Sequence, residues 1–403
     1  MKLRPKTLYY RPIKILGIFV KTKSIVLSTG LAMFSMFFGS GNLVFPLVVG
    51  QLSQGHYAIA AMGILLTGVL VPFLGILAMF LFNGNQNEFF SRLGKPATFW
   101  FPLLAISIMG PFGVLARCIT VAHGAFRLIL PETPLWLFSV LACGVIFLLT
   151  IRKSKIVTVL GTFLTPLLIL SLTAIVCFAV LSVDLPLVTA DHGSGWSSFK
   201  QGIFQGYQTM DLLAAFFFSV FVIKHLKEQK ALQENPGQSL SIFLKSSLIG
   251  AGLLALIYSF LVLIGAMYAP QLTLIPPQEL LGFIAQKTLG PFAAPVVCVT
   301  VILACITTAV VLASLFADFL RKEVSKDRIT PVLSLASTLA IAFLVSTLEF
   351  SGISKIIGPI LEICYPALIV LAVLSIIQKL WGWKSVRGPT AVAFLIKLLS
   401  LGI

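Results

Sequence analysis

The sequence predicts an all-α polytopic membrane protein with about eleven transmembrane helices. Hydrophobic residues make up 58% of the 403 residues and charged residues only 10%, which leaves too little polar surface to cover such a chain in water. Inside a bilayer every backbone N–H and C=O must be paired within the protein, so only helices or a closed barrel can span it. Long apolar runs, instead of alternations about ten residues long, favour helices.

Each predicted span is a stretch of roughly 20 mainly apolar residues. All of them belong to one membrane domain over residues 1–403, without a soluble module. The last stretch is about as long as the minimum for a span, so it is either a marginal helix or half of a hairpin. The approximate limits are 25–48, 57–82, 98–122, 135–151, 156–181, 200–223, 246–268, 291–319, 330–348, 355–377 and 389–403.

The positive charges are distributed by loop, although the formal net charge is +16. They cluster before the first span and in every second connection, and this positive-inside asymmetry predicts a cytoplasmic N-terminus. An anchor that touches anionic lipid is favoured over a nucleic-acid-binding arm, so we expect membrane lipid and no nucleic acid among the partners. No cleavable signal peptide is expected. The basic residues before the first span are Lys2, Arg4, Lys6, Arg11, Lys14, Lys21 and Lys23.

The number of spans predicts an inverted repeat. Spans one to five, about 25–181, and spans six to ten, about 200–377, are each an odd number of helices, so the second set enters the membrane in the opposite orientation. The stretch 389–403 is then an extra C-terminal helix. The first helix of each half carries a polar interruption at 37–42 and 206–211, which predicts two discontinuous helices.

A break inside a membrane helix predicts a binding site. It frees N–H groups at the start of one half-helix and C=O groups at the end of the other, and lipid satisfies neither. The N–H end suits a carboxylate and the C=O end suits a small cation, so an amino acid bound with Na⁺ or H⁺ supplies both. The alternative is a small-residue packing face. The candidate substrate-binding residues are Gly39, Ser40, Gly41, Asn42, Gly206, Tyr207, Thr209, Met210 and Asp211.

A third polar element lies near the middle of the eighth span. Ala304, Thr307 and Thr308 share one helical face, so a carbonyl and two hydroxyls could converge on a cation that prefers oxygen ligands. The alternative is that the threonine hydroxyls bond back to the carbonyl four residues earlier.

Charges inside the predicted spans are few. Asp211 is predicted near the midplane, where it organises the break, pairs with a cation, carries a proton, or caps a helix. Arg117 lies nearer the end of the third span, where its side chain could extend to the interface or serve a function. The role of Glu362 in the tenth span is equally open.

Four segments carry a family resemblance. The segment 30–46, GLAMFSMFFGSGNLVFP, resembles the signature first helix of the branched-chain amino acid:cation symporters, the LIVCS family of the amino acid-polyamine-organocation superfamily. The segments 206–211, GYQTMD, and 304–310, ACITTAV, are similar to the sixth and eighth helices of that family, and 110–117 to the third. The resemblance implies a secondary transporter of the bacterial inner membrane. It would import leucine, isoleucine and valine with Na⁺ or H⁺ by alternating access, on the leucine-transporter-type fold.

The resemblance also implies roles for residues. Amides around Gly41 and Asn42 would hold the substrate carboxylate, and the segment 206–209 would meet its amino group and side chain. The cation would bind the carbonyls near Ser35 and Phe38, the Ala304 carbonyl and the hydroxyls of Thr307 and Thr308. An apolar pocket of Phe38, Phe112 and Met210 would select an aliphatic side chain. No cofactor is implied beyond the coupling ion.

The chain departs from the family pattern at several positions. Leu47 and Ala116 replace prolines, Gly124 lies where an acidic residue is usual, and a twelfth span is absent. These differences concern the substrate range, so an amino acid carrier of broader or shifted specificity, for example for methionine or alanine, is the nearest alternative. A channel is disfavoured because no ring of charges follows a helix. An enzyme is disfavoured because no H-E-x-x-H or G-x-S-x-G is present.

Overall fold

The computed structural model describes residues 12–151, 156–181, 194–228, 239–290, 294–383 and 385–400, and all regular structure in these ranges is helical. The basic segment 1–11 lies outside the described residues, as do residues 291–293 and 401–403, which belong to the predicted spans 291–319 and 389–403. The helices are α1 Pro12–Phe37, α2 Ser40–Ser53, α3 Tyr57–Leu65, α4 Val71–Leu81, α5 Gln86–Phe90, α6 Ala97–Met109, α7 Val114–Phe126, α8 Leu135–Ile151, α9 Ile156–Leu181, α10 Gly195–Gln208, α11 Asp211–Glu228, α12 Ser239–Met267, α13 Ala269–Leu272, α14 Leu280–Leu289, α15 Ala294–Phe319, α16 Pro331–Ser346, α17 Glu349–Trp381 and α18 Arg387–Ser400.

Three predicted spans are each two helices in the structure. The first is interrupted at 38–39 between α1 and α2, and the sixth at 209–210 between α10 and α11. The third is interrupted at 110–113 between α6 and α7, a break that the sequence analysis did not predict. The turn at 110–113 contains a proline and two glycines, which end helices readily. By contrast, α8 and α9 begin and end at the predicted residues.

Within the described ranges, five helical runs are long and apolar enough to cross a membrane, and α10 with α11, bent by 41°, forms a sixth candidate. One of the five, Ser40–Leu81, has 42 residues, which at 1.5 Å per residue is about twice the thickness of the hydrocarbon core. It changes direction at Gln54, where φ is 39°. Shorter apolar helices at Ile25–Phe37, Leu135–Ile151, Pro166–Leu181 and Pro331–Ser346 complete the set. The count of about eleven spans stays a prediction.

Contacts with helix α12 show the direction in which the first two helices run. A Cβ built at Gly30 of α1 would lie 2.9 Å from Ile249, and one at Gly50 of α2 would lie 2.0 Å from the Val262 carbonyl oxygen. Residue numbers therefore rise together along α1, α2 and α12, so the three helices run in the same direction. The close approach follows from the missing side chains of the two glycines, as in other membrane helix pairs.

The chain runs the other way after the turn at Gln54. Gly68, in the π-helical turn Leu66–Leu70, packs on Tyr258, whereas Phe73 of α4 packs on Gly250. The residue numbers now rise along α4 as they fall along α12. The run Ser40–Leu81 is therefore a hairpin of two antiparallel legs.

Helices α10 and α11 run beside this second leg and in its direction. A Cβ at Gly63 would lie 2.4 Å from the Phe199 carbonyl oxygen, and one at Gly75 would lie 2.8 Å from Leu212. The broken pair α10–α11 is therefore antiparallel to the broken pair α1–α2. The two interruptions meet at the same depth in the bundle.

Two short helices between α12 and α15 were not predicted. Gln278 lies in the turn Pro277–Glu279, and a Cβ at Gly124 of α7 would be 2.7 Å from its carbonyl oxygen. Arg127 Nη1 pairs with Glu279 Oε1 at 2.6 Å. These contacts attach the turn between α13 and α14 to the end of α7, and the two short helices themselves contact α2.

Candidate functional site

The two helix breaks face each other. A Cβ on Gly41, in the first turn of α2, would lie 3.5 Å from the Cα atom of Thr209. Helix α15 completes the site, because Thr308 Cγ2 would be 3.8 Å from a Cβ on Gly39. The structure thus brings together three elements that the sequence analysis had treated separately.

A small cavity lies where these elements meet. It encloses about 30 Å³, room for about two water molecules. One wall is polar backbone and side chain from the two breaks, and the other is apolar. The lining residues are Met36, Phe37, Gly39, Ser40, Gly41, Asn42, Met109, Val114, Thr209, Met210, Asp211, Ala214, Phe218, Thr308 and Leu312.

Asn42 closes the first break and connects it to the second. Its Oδ1 atom accepts the Gly39 N–H at 3.1 Å, which holds the extended residue before α2. Its Nδ2 group donates to Asp211 Oδ2 at 2.8 Å and to the Tyr258 hydroxyl at 2.5 Å. The Tyr258 hydroxyl also donates to Asp211 Oδ2, at 3.1 Å. This Asn42–Asp211–Tyr258 triad joins α2, α11 and α12.

The first three residues of α2, Ser40, Gly41 and Asn42, line the cavity. The first amides of a helix have no acceptor within it and carry the positive end of the helix dipole. No acidic residue lies in the first turn of α2. The Ser40 hydroxyl contacts Cys118 Sγ of α7 at 3.4 Å, which attaches this end to a neighbouring helix.

The second break has a different construction. Met210 adopts a left-handed conformation with φ of 61°, which is uncommon for a residue with a side chain, and its side chain is buried. The carbonyls at the end of α10 already have donors. The Thr209 hydroxyl donates to the Gly206 oxygen at 2.8 Å, and the Met210 N–H donates to the Tyr207 oxygen at 3.1 Å.

Arg117 donates a hydrogen bond to the last carbonyl oxygen of α10. Its Nη1 group donates to the Gln208 carbonyl oxygen at 2.8 Å and its Nη2 group to Gln208 Oε1 at 2.7 Å. Its guanidinium lies over the rings of Phe45 and Phe350, at 5.3 and 5.6 Å from their centres. Only 1% of the residue is exposed, so the side chain points into the bundle and does not extend to the interface. A cation at the negative end of a helix is a favourable arrangement.

The predicted cation ligands are only partly assembled. The hydroxyls of Thr307 and Thr308 donate to the Ala304 oxygen at 2.9 and 3.0 Å, and each keeps lone pairs that could face a cation. Phe38 is buried and stacks on Phe34 with ring centres 5.1 Å apart. Ser35 lies one residue before the cavity wall. Among the described residues, no group of three or more His, Cys, Asp and Glu side chains could hold a metal ion.

Three of the predicted substrate-binding residues lie outside the cavity, and Thr308 is the one predicted cation ligand that lines it. Gly206 faces Thr67 of the opposite leg, and Tyr207 packs on Tyr365 with ring centres 4.8 Å apart. Phe112 is 46% exposed in the turn between α6 and α7, because the neighbouring glycines of that turn are the residues that pack inward. Met109 and Val114, on either side of the turn, line the cavity in its place.

Sequence analysis missed Tyr258. It is fully buried in α12 and supplies a hydroxyl to the Asp211 carboxylate. Its sequence signal was a single polar aromatic residue inside an apolar run, far from any span end where such rings are usual. Its partner is 47 residues away, beyond the reach of helical periodicity.

Comparisons with known proteins agree with this architecture. The model of the family described as branched-chain amino acid transport protein matches residues 22–401. The branched-chain amino acid permease BrnQ of Bacillus subtilis is 30% identical over 388 residues, which cover 93% of this chain and 86% of the permease. The permease of the same name in Corynebacterium glutamicum is 32% identical over 364 residues, covering 89% and 82%.

Two solved structures share the fold of this chain. Mhp1 in an inward-facing conformation has a TM-score of 0.62 at 15% identity and covers 88% of this chain and 77% of its own. MhsT in complex with L-phenylalanine has a TM-score of 0.54 at 16% identity and covers 93% and 98%. The fold is therefore of the leucine-transporter type. The chain is a multi-pass membrane transport protein, not an enzyme, and it belongs to the branched-chain amino acid transport protein family.

Proposed function

We propose that this protein is a symporter that imports leucine, isoleucine and valine together with Na⁺ or H⁺ across the plasma membrane by alternating access. One observation carries the proposal: two broken helices meet at a partly polar cavity inside an apolar helix bundle. The names of the relatives, which are branched-chain amino acid permeases, support the substrate. The N-terminus would be cytoplasmic, as the basic residues predict.

The directions of the helices support a five-plus-five inverted repeat. Helices α1–α2 and α10–α11 open the two proposed halves, about 25–181 and 200–377, and they run antiparallel. An inverted repeat requires this relation between equivalent helices. In transporters of this kind, one group of helices moves against another around a central site.

The substrate carboxylate would bind at the start of α2. The amides of Ser40, Gly41 and Asn42 belong to the positive end of that helix, and these residues line the cavity. The aliphatic side chain would lie against the apolar wall, which Val114, Ala214 and other residues form. A cavity of about 30 Å³ is too small for a branched side chain. Binding would therefore require the walls to separate, as alternating access does.

The coupling cation would bind between the end of α1 and α15. Met36 and Phe37, at the end of α1, line the cavity together with Thr308, which lies beside Gly39. Its hydroxyl and that of Thr307 would add side-chain oxygen ligands. Carbonyl and hydroxyl oxygens are the ligands that hard cations prefer.

Gradient-driven uptake by purified protein in liposomes tests the function. We expect labelled leucine to accumulate under an imposed inward Na⁺ or H⁺ gradient, applied separately, with valine and isoleucine as competitors. Accumulation of methionine or alanine in preference to leucine would replace the proposed substrate range. Absence of accumulation under both gradients, with orientation verified, would contradict symport.

A pair of threonine variants tests the cation site. We expect Thr308→Ala to raise the ion concentration needed for half-maximal leucine uptake by about tenfold, because it removes one ligand of a cation. Thr300→Ala is the matched control. That hydroxyl is buried on the same helix and bonds the Val296 oxygen at 2.8 Å, away from the cavity. Equal ion dependence in the two variants would remove Thr308 from the cation site.

A further inference from the structure

The carbonyl oxygens at the C-terminal end of α10 already accept hydrogen bonds. Gly206, Tyr207 and Gln208 each have a carbonyl oxygen that accepts a hydrogen bond from the protein. The donor to Gln208 is Arg117, whose positive charge also opposes the approach of another cation. A substrate ammonium group would have to share these oxygens with the donors already present, beside the Arg117 charge. The second break therefore lacks the free carbonyl end that its sequence predicts.

The Asp211 carboxylate, in contrast, has capacity for further hydrogen-bond donors. It is the first residue of α11, it lines the cavity, and only 3% of it is exposed. Its Oδ2 atom accepts from Asn42 and Tyr258, both neutral donors. A carboxylate offers about four acceptor positions, so it has capacity for further donors. None of the ion pairs among the described residues includes Asp211.

We propose that the Asp211 carboxylate binds the α-ammonium group of the substrate. This inference rests on the proposed function, since it assigns one group of an amino acid to one residue. A buried carboxylate without a counter-charge is costly, and an ammonium group brings a positive charge together with three N–H donors. The carboxylate of the same substrate would lie at the start of α2, only a few residues from Asn42, which donates to Asp211.

The Asn42–Asp211–Tyr258 triad then has a positioning role. Asn42 and Tyr258 hold Oδ2 from α2 and α12, so the carboxylate faces the cavity in one orientation. Arg117 excludes the ammonium group from the end of α10. Together these contacts would distinguish an amino acid from an aliphatic acid of the same shape.

Ligand-induced thermal stabilisation of the purified protein tests the assignment. The probes are leucine and 4-methylpentanoate, which is leucine without its amino group, and their dissociation constants follow from the concentration dependence of the unfolding midpoint. We expect wild-type protein to prefer leucine by more than about tenfold, and Asp211→Asn to reduce that preference by at least about tenfold. The ratio of the two constants is the readout, since a purely structural defect weakens both ligands together.

Glu362→Gln is the matched control. It removes a carboxylate that pairs with Lys397 at 2.9 Å and does not line the cavity, so we expect the preference for leucine to change by less than about threefold. If Asp211→Asn does not fold, Asp211→Glu replaces it, and we expect that variant to alter the ratio of leucine to N-methylleucine by more than about threefold, because its carboxylate is displaced.

Several results would overturn the assignment. One such result is that Asp211→Asn leaves the preference for leucine unchanged but changes the Na⁺ requirement. The carboxylate would then be a ligand of the coupling ion. An unchanged N-methylleucine ratio in Asp211→Glu would be another. If leucine does not stabilise the wild-type protein at all, the proposed function itself fails. This outcome is separate from the ratios measured in the variants, which test only the role of Asp211.

Discussion

The break between α1 and α2 and the break between α10 and α11 occupy equivalent places but are built differently. The first has an extended glycine, Gly39, whose N–H donates to Asn42 Oδ1, and the first residues of α2 line the cavity. The second has a left-handed methionine, and its α10 end is filled by Arg117 and by local donors.

The two breaks therefore differ in which end remains available to a ligand. At the first break, we propose that the coupling cation binds at the end of α1 and the substrate carboxylate at the start of α2. At the second break the protein supplies its own cation, and the available acceptor is the Asp211 side chain. The two breaks have similar sequence signals, namely glycine and polar residues within an apolar run. Their structures nevertheless differ, because only at the second break does an arginine donate to the end of the preceding helix.

We expect the largest loss of stability when the Arg117 guanidinium is removed from the second break. In Arg117→Met, the Gln208 carbonyl and side-chain oxygens lose their donors in a buried site, which costs about 1–3 kcal/mol for each group. We expect a clear fall in the thermal unfolding midpoint in detergent. Arg328→Met, at an exposed arginine, is the control. Equal midpoints for the two variants would mean that Arg117 does not cap α10.

The second expected effect compares alanine at a glycine near each break. A Cβ at Gly206 would lie 2.0 Å from Thr67 Oγ1 and 3.0 Å from the Gly68 nitrogen, so Gly206→Ala should destabilise by about 1–3 kcal/mol. A Cβ at Gly39 has no neighbour closer than 3.8 Å, and its φ of −118° suits any residue. Gly39→Ala should therefore unfold at nearly the wild-type temperature. A large loss of stability in Gly39→Ala would contradict the geometry of the first break.

The smallest expected effect concerns the left-handed residue of the second break. Met210→Gly and Met210→Ala lose nearly the same buried side chain, but only alanine retains a Cβ at φ of 61°. We expect the glycine variant to be the more stable by about 1 kcal/mol, the reverse of the usual helical order. At Ala214, inside α11, the substitution to glycine should instead destabilise by about 1 kcal/mol. The unfolding midpoints of these variants measure both differences, and an alanine variant at 210 more stable than the glycine variant would contradict the strain.

Local patterns in the sequence predicted much of the fold. Apolar runs bounded by polar or basic segments placed α8 and α9 to the residue, because burial in lipid depends on local composition. The break at Gly39 and the one at Met210 also fell inside the predicted segments. The fold type and the family, predicted from four segments, are confirmed by the comparisons.

Contacts between distant segments could not be predicted. Tyr258 and Asn42 are 216 residues apart, and no periodicity relates them. Arg117 was expected either to extend to the interface or to serve a function, and its burial depends on Gln208, 91 residues away. Phe112 was expected in the pocket, but the direction of a side chain in a glycine-rich turn depends on tertiary packing. The cation and substrate roles of the predicted residues stay predictions.

The most direct test of the account is a structure of the protein with leucine and the coupling ion bound. We predict leucine density between the two breaks, with its carboxylate at the amides of Ser40 and Gly41 and its amino group at Asp211. Density for leucine elsewhere in the bundle, with the cavity between Asn42 and Thr308 unchanged, would contradict the claim that the paired breaks form the binding site.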